Sequence, residues 1–155
     1  IGSALKFLSS EWKDKVQVEQ RLPERLVIRS NRNKLLQVFV NLLQNSLDAI
    51  RRKQFVDEKP AIWIEGREEG DKTILIIRDN GEGIEADTLN KVFDPFFTTK
   101  DVGEGMGLGL TICYRIVQEY EGRISVRSER GKYCEFKLEF PAKEKELNAD
   151  KPSTE

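Results

Sequence analysis

Apolar positions along the chain follow two periods, and the switches between them mark out the elements. Ala4, Leu5, Leu8 and Trp12 recur at helical spacing and predict an amphipathic helix over residues 2–13. Alternation over 16–22 predicts a strand ending near Pro23, and 26–29 is a second, short strand candidate. Ser30 and Asn31 offer an N-cap to a long helix from about 32 to 53. Residues 51–60 are charged and loop-like. Two β-rich runs, 61–67 and 72–78, are joined around Glu69-Gly70-Asp71 as a hairpin. A short helix is expected over 86–93. Residues 94–106 carry Pro95 and several glycines and predict a mobile loop. A further helix runs from about 107 to 120, where Gly122 is expected to stop it as a C-cap glycine. Runs 123–127 and 133–140 form a closing hairpin through Glu129-Arg130-Gly131. From Ala142 the chain is charged, contains Pro152 and has no apolar period, which predicts disorder. The pattern describes an α+β sandwich, a mixed β-sheet with helices on one face, over residues 1–141, followed by a tail over 142–155.

Composition narrows the function classes. With 155 residues the chain has the size of one domain, and 38% apolar residues suffice for a single core. Charged residues reach 34%, yet the formal net charge is -1, so nothing draws the whole chain to nucleic acid or to an anionic membrane. No apolar run approaches the ~20 residues of a membrane helix. Cys113 and Cys134 could pair, but their apolar neighbours point to a buried helix and a buried strand. Two reduced structural thiols in a cytoplasmic domain are expected. The chain has no histidine, which excludes a Ser-His-Asp triad and imidazole metal sites within it.

Three groups of residues carry chemistry. Asn41, Asn45 and Asp48 lie at i, i+4 and i+7 on the long helix and share a face. The rest of that helix is so apolar that this stripe must meet partners or a wet cavity. It serves either as a solvent face with some buried hydrogen bonds or as a magnesium site, where an amide oxygen supplies one ligand and phosphates and waters the others. Asp79-Asn80-Gly81-Glu82-Gly83-Ile84 follows an apolar strand directly. Asp-Asn-Gly alone is an ordinary turn. A strand-end carboxylate beside two glycines also lets a flat ring approach the backbone and can accept the exocyclic amine of adenine. Gly103, Gly105, Gly107 and Gly109 run into an apolar helix, and their exposed N–H groups form an anion cradle suited to phosphates. The run lacks the Gly-Lys-Ser/Thr ending of a P-loop and the glycine spacing of a dinucleotide fingerprint, so another nucleotide fold is required.

These segments resemble the boxes of sensor histidine kinases. Residues 41–49, Asn-Leu-Leu-Gln-Asn-Ser-Leu-Asp-Ala, look like the asparagine box, and 79–84 like the first glycine box. Residues 93–100, Phe-Asp-Pro-Phe-Phe-Thr-Thr-Lys, look like the phenylalanine box, and 103–110 like the second glycine box. The shared fold is the Bergerat ATP-binding sandwich, found also in DNA gyrase, mismatch-repair ATPases and heat-shock chaperones. The resemblance implies that Asn45 ligates magnesium and that Asn41 contacts phosphate or the metal's water. It implies that Asp79 reads adenine, that Gly83 lets the ring lie close, and that Asp48, Gly81 and Ile84 also bind the nucleotide. Thr98, Thr99, Lys100, Gly103, Gly105, Met106, Gly107, Leu108, Gly109 and Leu110 would form the phosphate-binding lid. Phe93, Phe96 and Phe97 either pin that lid or belong to the core. Asp48 departs from the Lys or His of many relatives and, with the Phe-Phe-Thr-Thr-Lys wording, resembles the nitrogen-regulation and dicarboxylate-sensing branch. Relatives also carry a Thr near Tyr133–Cys134 that helps hold a water against adenine, so that contact is in question here.

The same fold serves kinases and ATPases. Hydrolysing relatives place a Glu four residues before the magnesium asparagine, as general base for water. Here the position is Asn41, which cannot take a proton at neutral pH. The resemblance therefore implies a catalytic domain that holds Mg-ATP and presents the γ-phosphoryl group to a histidine on a separate dimerisation domain, with Asn41, Asn45 and Lys100 as the catalytic set. A response regulator would act downstream. No contact with nucleic acid or membrane is expected, though a parent kinase can be membrane-anchored. The alternatives are a gyrase-like ATPase or chaperone switch, whose mark would be Glu at 41, a degenerate nucleotide-binding module, and a dehydrogenase, which lacks its fingerprint.

Overall fold

A computed structural model describes residues 1–94 and 109–142. The elements run α1 (Gly2–Phe7), α2 (Ser9–Trp12), β1 (Gln17–Arg21), α3 (Arg32–Arg51), β2 (Ala61–Glu69) and β3 (Lys72–Asp79). A 3₁₀ turn at Leu89–Lys91, α4 (Gly109–Glu119), β4 (Arg123–Glu129) and β5 (Tyr133–Pro141) complete them. The five strands form one sheet in the order β1-β2-β3-β5-β4, with β1 parallel to β2 and the other neighbours antiparallel. This is the mixed sheet that the sequence pattern describes.

Strand alternation divides the sheet. Ile62, Ile64, Leu75, Ile77, Cys134, Phe136, Leu138 and Phe140 turn to the helices and are buried with Val38, Leu42, Leu43 and Val117. The other face carries Glu65, Arg67, Arg78, Glu135, Lys137 and Glu139. Asn31 caps α3 as its sequence predicts, its Oδ1 accepting from the Asn33 and Lys34 amides over 2.9 and 3.2 Å. The α3 N-terminus is fastened to the end of α4 by Lys34–Glu119 and by the Asn31 amide donating to the Tyr120 hydroxyl over 3.0 Å.

Several local expectations change. The helix expected over 2–13 breaks at Leu8, whose φ of -95 and ψ of 10 leave the helical basin. The Trp12 indole donates to the Leu5 carbonyl over 2.8 Å and draws the second half inward. Residues 26–29 form no strand. Gly66 on β2 leaves a gap that Leu26 fills, and the Val27 carbonyl accepts the Thr73 hydroxyl over 2.9 Å in place of a ladder bond. The helix expected over 86–93 contracts to the 3₁₀ turn Leu89–Lys91. Gly122 is not the left-handed residue that ends α4. Glu121 takes that position at φ 58, while the Gly122 amide donates to Val117 and the Glu121 amide to Gln118, the paired bonds of a Schellman end. Gly122 is small for another reason: a Cβ there would stand 2.6 Å from the Glu139 carbonyl oxygen. The expected loop over 94–106 falls, after Asp94, outside the described residues, as does the tail after Ala142.

Candidate functional site

The site lies where the β3 end meets the middle of α3. Asp79 closes β3 opposite Ile62 on β2 and Cys134 on β5 and is 2% exposed. Its Oδ1 accepts the Gly81 amide over 2.9 Å. Burial pushes the carboxyl up to about 6, against the Gly81 amide, the Ser46 hydroxyl and the positive Lys53 and Arg78, which favour its charged form. Ser46 is itself 1% exposed, and its Oγ has no hydrogen bond of ordinary geometry among the described residues. It stands close enough to act on the Asp79 charge without bonding it directly. A buried carboxylate and a buried hydroxyl thus share one spot with unused bonding capacity, which a ligand or an ordered water would satisfy.

The turn after Asp79 is gripped by its surroundings. The Glu82 amide donates to the Ala49 carbonyl of α3 over 3.1 Å, and a Cβ on Gly81 would lie 2.7 Å from Ala49. The Gly131 amide donates to the Glu82 carbonyl over 2.6 Å. The Ile84 amide donates to Ser128 Oγ over 2.7 Å, and Ser128 in turn donates to the Tyr133 carbonyl over 2.6 Å. Gly83 has φ +69, and a Cβ there would overlap the Glu129 carbonyl oxygen. The glycines are therefore required by α3 and by the β4–β5 turn as well as by any ring that approaches.

On α3, Asn45 is half-buried and its amide has no hydrogen-bond partner among the described residues. Asn41 reaches toward α4, its Nδ2 donating to the Gly109 carbonyl over 3.4 Å. Asp48 is already engaged, accepting from Gln44 Nε2 over 3.0 Å and from Arg51 beside Glu11 of α2. No group of three or more His, Cys, Asp or Glu side chains placed to hold a metal occurs among the described residues. One free amide oxygen suits a cation whose other ligands arrive with phosphates and water.

Gly109 and Leu110 open α4 beside Asn41. Phe93 sits in the core, its ring 5.7 Å from Tyr114 and edge-on to Phe136 at 6.4 Å, and its carbonyl accepts the Thr111 hydroxyl over 3.0 Å. Phe96, Phe97, Thr98, Thr99, Lys100, Gly103, Gly105, Met106, Gly107 and Leu108 lie outside the described residues. Cys113 and Cys134 are free and buried, as expected. Burial pushes the Cys113 thiol up to about 12. Sequence reasoning passed over Ser46, Ser128 and Asn80. Ser46 carries a weak signal, a small hydroxyl inside the apolar face of a helix; nothing local marks Ser128.

The fold and this site together define an ATP-binding sandwich. The chain belongs to the family of histidine kinase-, DNA gyrase B- and HSP90-like ATPases, whose model matches residues 30–144. It is similar to the sensor kinase CckA of Brucella abortus, with 37% identity over 132 residues, 79% of this chain and 14% of that protein. It is also similar to the sensor histidine kinase ZraS of Escherichia coli K12, with 38% identity covering 77% of this chain and 23% of ZraS. The nucleotide-free catalytic domain of histidine kinase ThkA superposes with a TM-score of 0.76 at 26% identity, covering 91% of this chain and 89% of that domain. The chain spans about a seventh of CckA and under a quarter of ZraS.

Proposed function

We propose that this chain is the catalytic domain of a sensor histidine kinase, over residues 1–141, and that it transfers the γ-phosphoryl group of Mg-ATP to a histidine on a dimerisation domain outside this sequence. The observation that carries the proposal is the placement of the buried Asp79 carboxylate beside a helix whose Asn45 amide has no partner among the described residues. Asp79 accepts the exocyclic amine of adenine, and the Ser46 hydroxyl beside it offers a second bond to the base or to a bound water. Asn45 offers an amide oxygen to magnesium, which neutralises the phosphate charge. Asn41 and the start of α4 then face the phosphates, where free amide groups of a helix N-terminus favour anions. Lys100 and the glycines that precede α4 complete the phosphate contacts.

Asn41 favours a kinase over an ATPase. It stands where hydrolysing relatives carry a general base, and its Nδ2 is turned to the Gly109 carbonyl. Asp48, the carboxylate of the same stripe, is held by Arg51 and Gln44. With an asparagine in place of that general base, the γ-phosphoryl group waits for an outside nucleophile, and transfer depends on positioning and charge neutralisation. The chain's similarity to a sensor kinase and a sensor histidine kinase supports the same choice. A response regulator would receive the group next. No helix among the described residues is long and apolar enough to cross a membrane, in keeping with a cytoplasmic domain of a parent that can itself be anchored.

The test incubates labelled ATP with this chain, with a histidine-bearing dimerisation domain supplied as a separate polypeptide, and with both. Label should reach the partner only in the mixture, slowly because the two are not tethered, and should be acid-labile and base-stable. Rapid phosphate release by this chain alone would establish the ATPase reading instead.

A further inference from the structure

We infer that Asn80 is a positioning residue for base recognition, acting through Asp79; this rests on the adenine reading proposed above. The β2–β3 ladder ends at the pair Ile62 and Asp79, and the next two residues, Ala61 and Asn80, make only one of the two main-chain bonds of a further rung. Asn80 supplies the other with its side chain. Its Oδ1 accepts the Ala61 amide over 2.8 Å, and its Nδ2 donates to the Lys59 carbonyl over 2.8 Å. Its backbone amide donates to the Ala61 carbonyl over 3.3 Å, and its own carbonyl accepts Lys53 Nζ over 2.9 Å. Lys53 is fixed by Glu58 over 2.7 Å and lies 5.0 Å above the Phe55 ring.

An asparagine in an ordinary Asp-Asn-Gly turn bonds its own backbone two residues on. These side-chain bonds run 19 and 21 residues back, and the Lys53 bond 27, to the first residue of β2 and to the segment that joins α3 to it. Asn80 is 6% exposed, and both ends of its amide are engaged inside the protein. The side-chain Oδ1 takes the Ala61 amide that the Asn80 carbonyl, turned to Lys53, no longer accepts. The chain can then bend at Gly81 with Asp79 still held as a strand residue. The carboxylate keeps its direction because the residue before it is in the ladder and the residue after it is pinned to the α3–β2 segment.

The consequence is specific to the base. A nucleotide with a carbonyl in place of the exocyclic amine gains nothing from a well-aimed Asp79, whereas ATP does. The experiment measures binding of ATP and of inosine triphosphate to the chain and to two variants, Asn80→Ala and Asn80→Asp. The Asp variant keeps the acceptor for Ala61 but turns a buried carboxylate to the Lys59 carbonyl beside Asp79, so it is the harsher test. In both variants ATP should weaken about tenfold or more while inosine triphosphate changes less than about twofold, collapsing the discrimination between them. The Asn80→Asp value should fall at least as far as Asn80→Ala. If both nucleotides weaken together, or only the unfolding midpoint falls, Asn80 is a structural residue and the inference is overturned. A wild-type chain that binds the two equally would sink the adenine reading itself, and with it this inference.

Discussion

Asp79 on β3 and Cys134 on β5 are register partners, so the buried carboxylate has a thiol rather than a hydroxyl across the ladder. Burial first, and the Asp79 charge second, hold that thiol in its protonated form. A thiol is a weak donor and a weak acceptor. Ser128, the next partner of Cys134, spends its hydroxyl on Ile84 and Tyr133. Restoring a hydroxyl with Cys134→Thr should therefore tighten ATP binding by roughly fivefold, the worth of about 1 kcal/mol for one added hydrogen bond. Calorimetric titration of both forms checks this, and unchanged or weaker binding would show that position 134 does not contribute a bond to the base.

The Asp79 carboxyl also sets a pH dependence. In the folded chain it titrates near 6, against 3.8 when unperturbed. The folded state therefore holds an extra proton between about pH 4 and 6, and stability from this group falls as pH rises through that window. The ionised form above 6 should cost about 3 kcal/mol in the absence of nucleotide. Asp79→Asn removes this contribution. Its stability advantage over wild type should grow from pH 4.5 to 7 in urea titrations, and a difference that does not change with pH would contradict the burial argument.

Asn45→Ala tests the cation. Nucleotide should still bind without magnesium, because Asp79 and Ser46 are untouched. The gain in ATP affinity that magnesium gives should largely vanish. A variant that responds to magnesium as the parent does would leave Asn45 as an ordinary helix-face amide.

Glu121 carries a cost that glycine would not. A side chain in the left-handed region costs roughly 1–2 kcal/mol, which a glycine avoids. Glu121→Gly should raise stability by about 1 kcal/mol with no change in nucleotide affinity, read from the urea midpoint. Gly122→Ala should do the reverse, since its Cβ would meet the Glu139 carbonyl oxygen.

The long elements were legible because their periods are long. The α3 pattern runs from its Asn31 cap to Arg51, and the β2–β3 and β4–β5 hairpins carry alternation and turn residues over eight or nine positions on most strands. The segment at 26–29 misled because its apolar residues fit a strand, while their use is to fill the gap over Gly66, a contact with a residue forty positions away. Gly122 misled because glycine is the usual helix stop; here the bonding pattern places Glu121 at that position, and sequence offers no sign of it. In the site, Asp79, Asn41 and Asn45 announce themselves through residue type and spacing. Asn80 does not, because its partners lie at the start of β2 and in the segment before it, and an Asp-Asn-Gly turn accounts for it locally.

The two open edges of the sheet bear on how such a domain survives at high concentration. Gln17, Glu19 and Arg21 line β1, and Arg123, Arg127 and Glu129 line β4. An unpaired strand edge invites another chain to add to it, and charged side chains there oppose the addition because they would have to be stripped of water. The pairing groups that β1 and β4 leave unused among the described residues are thus guarded by solvation.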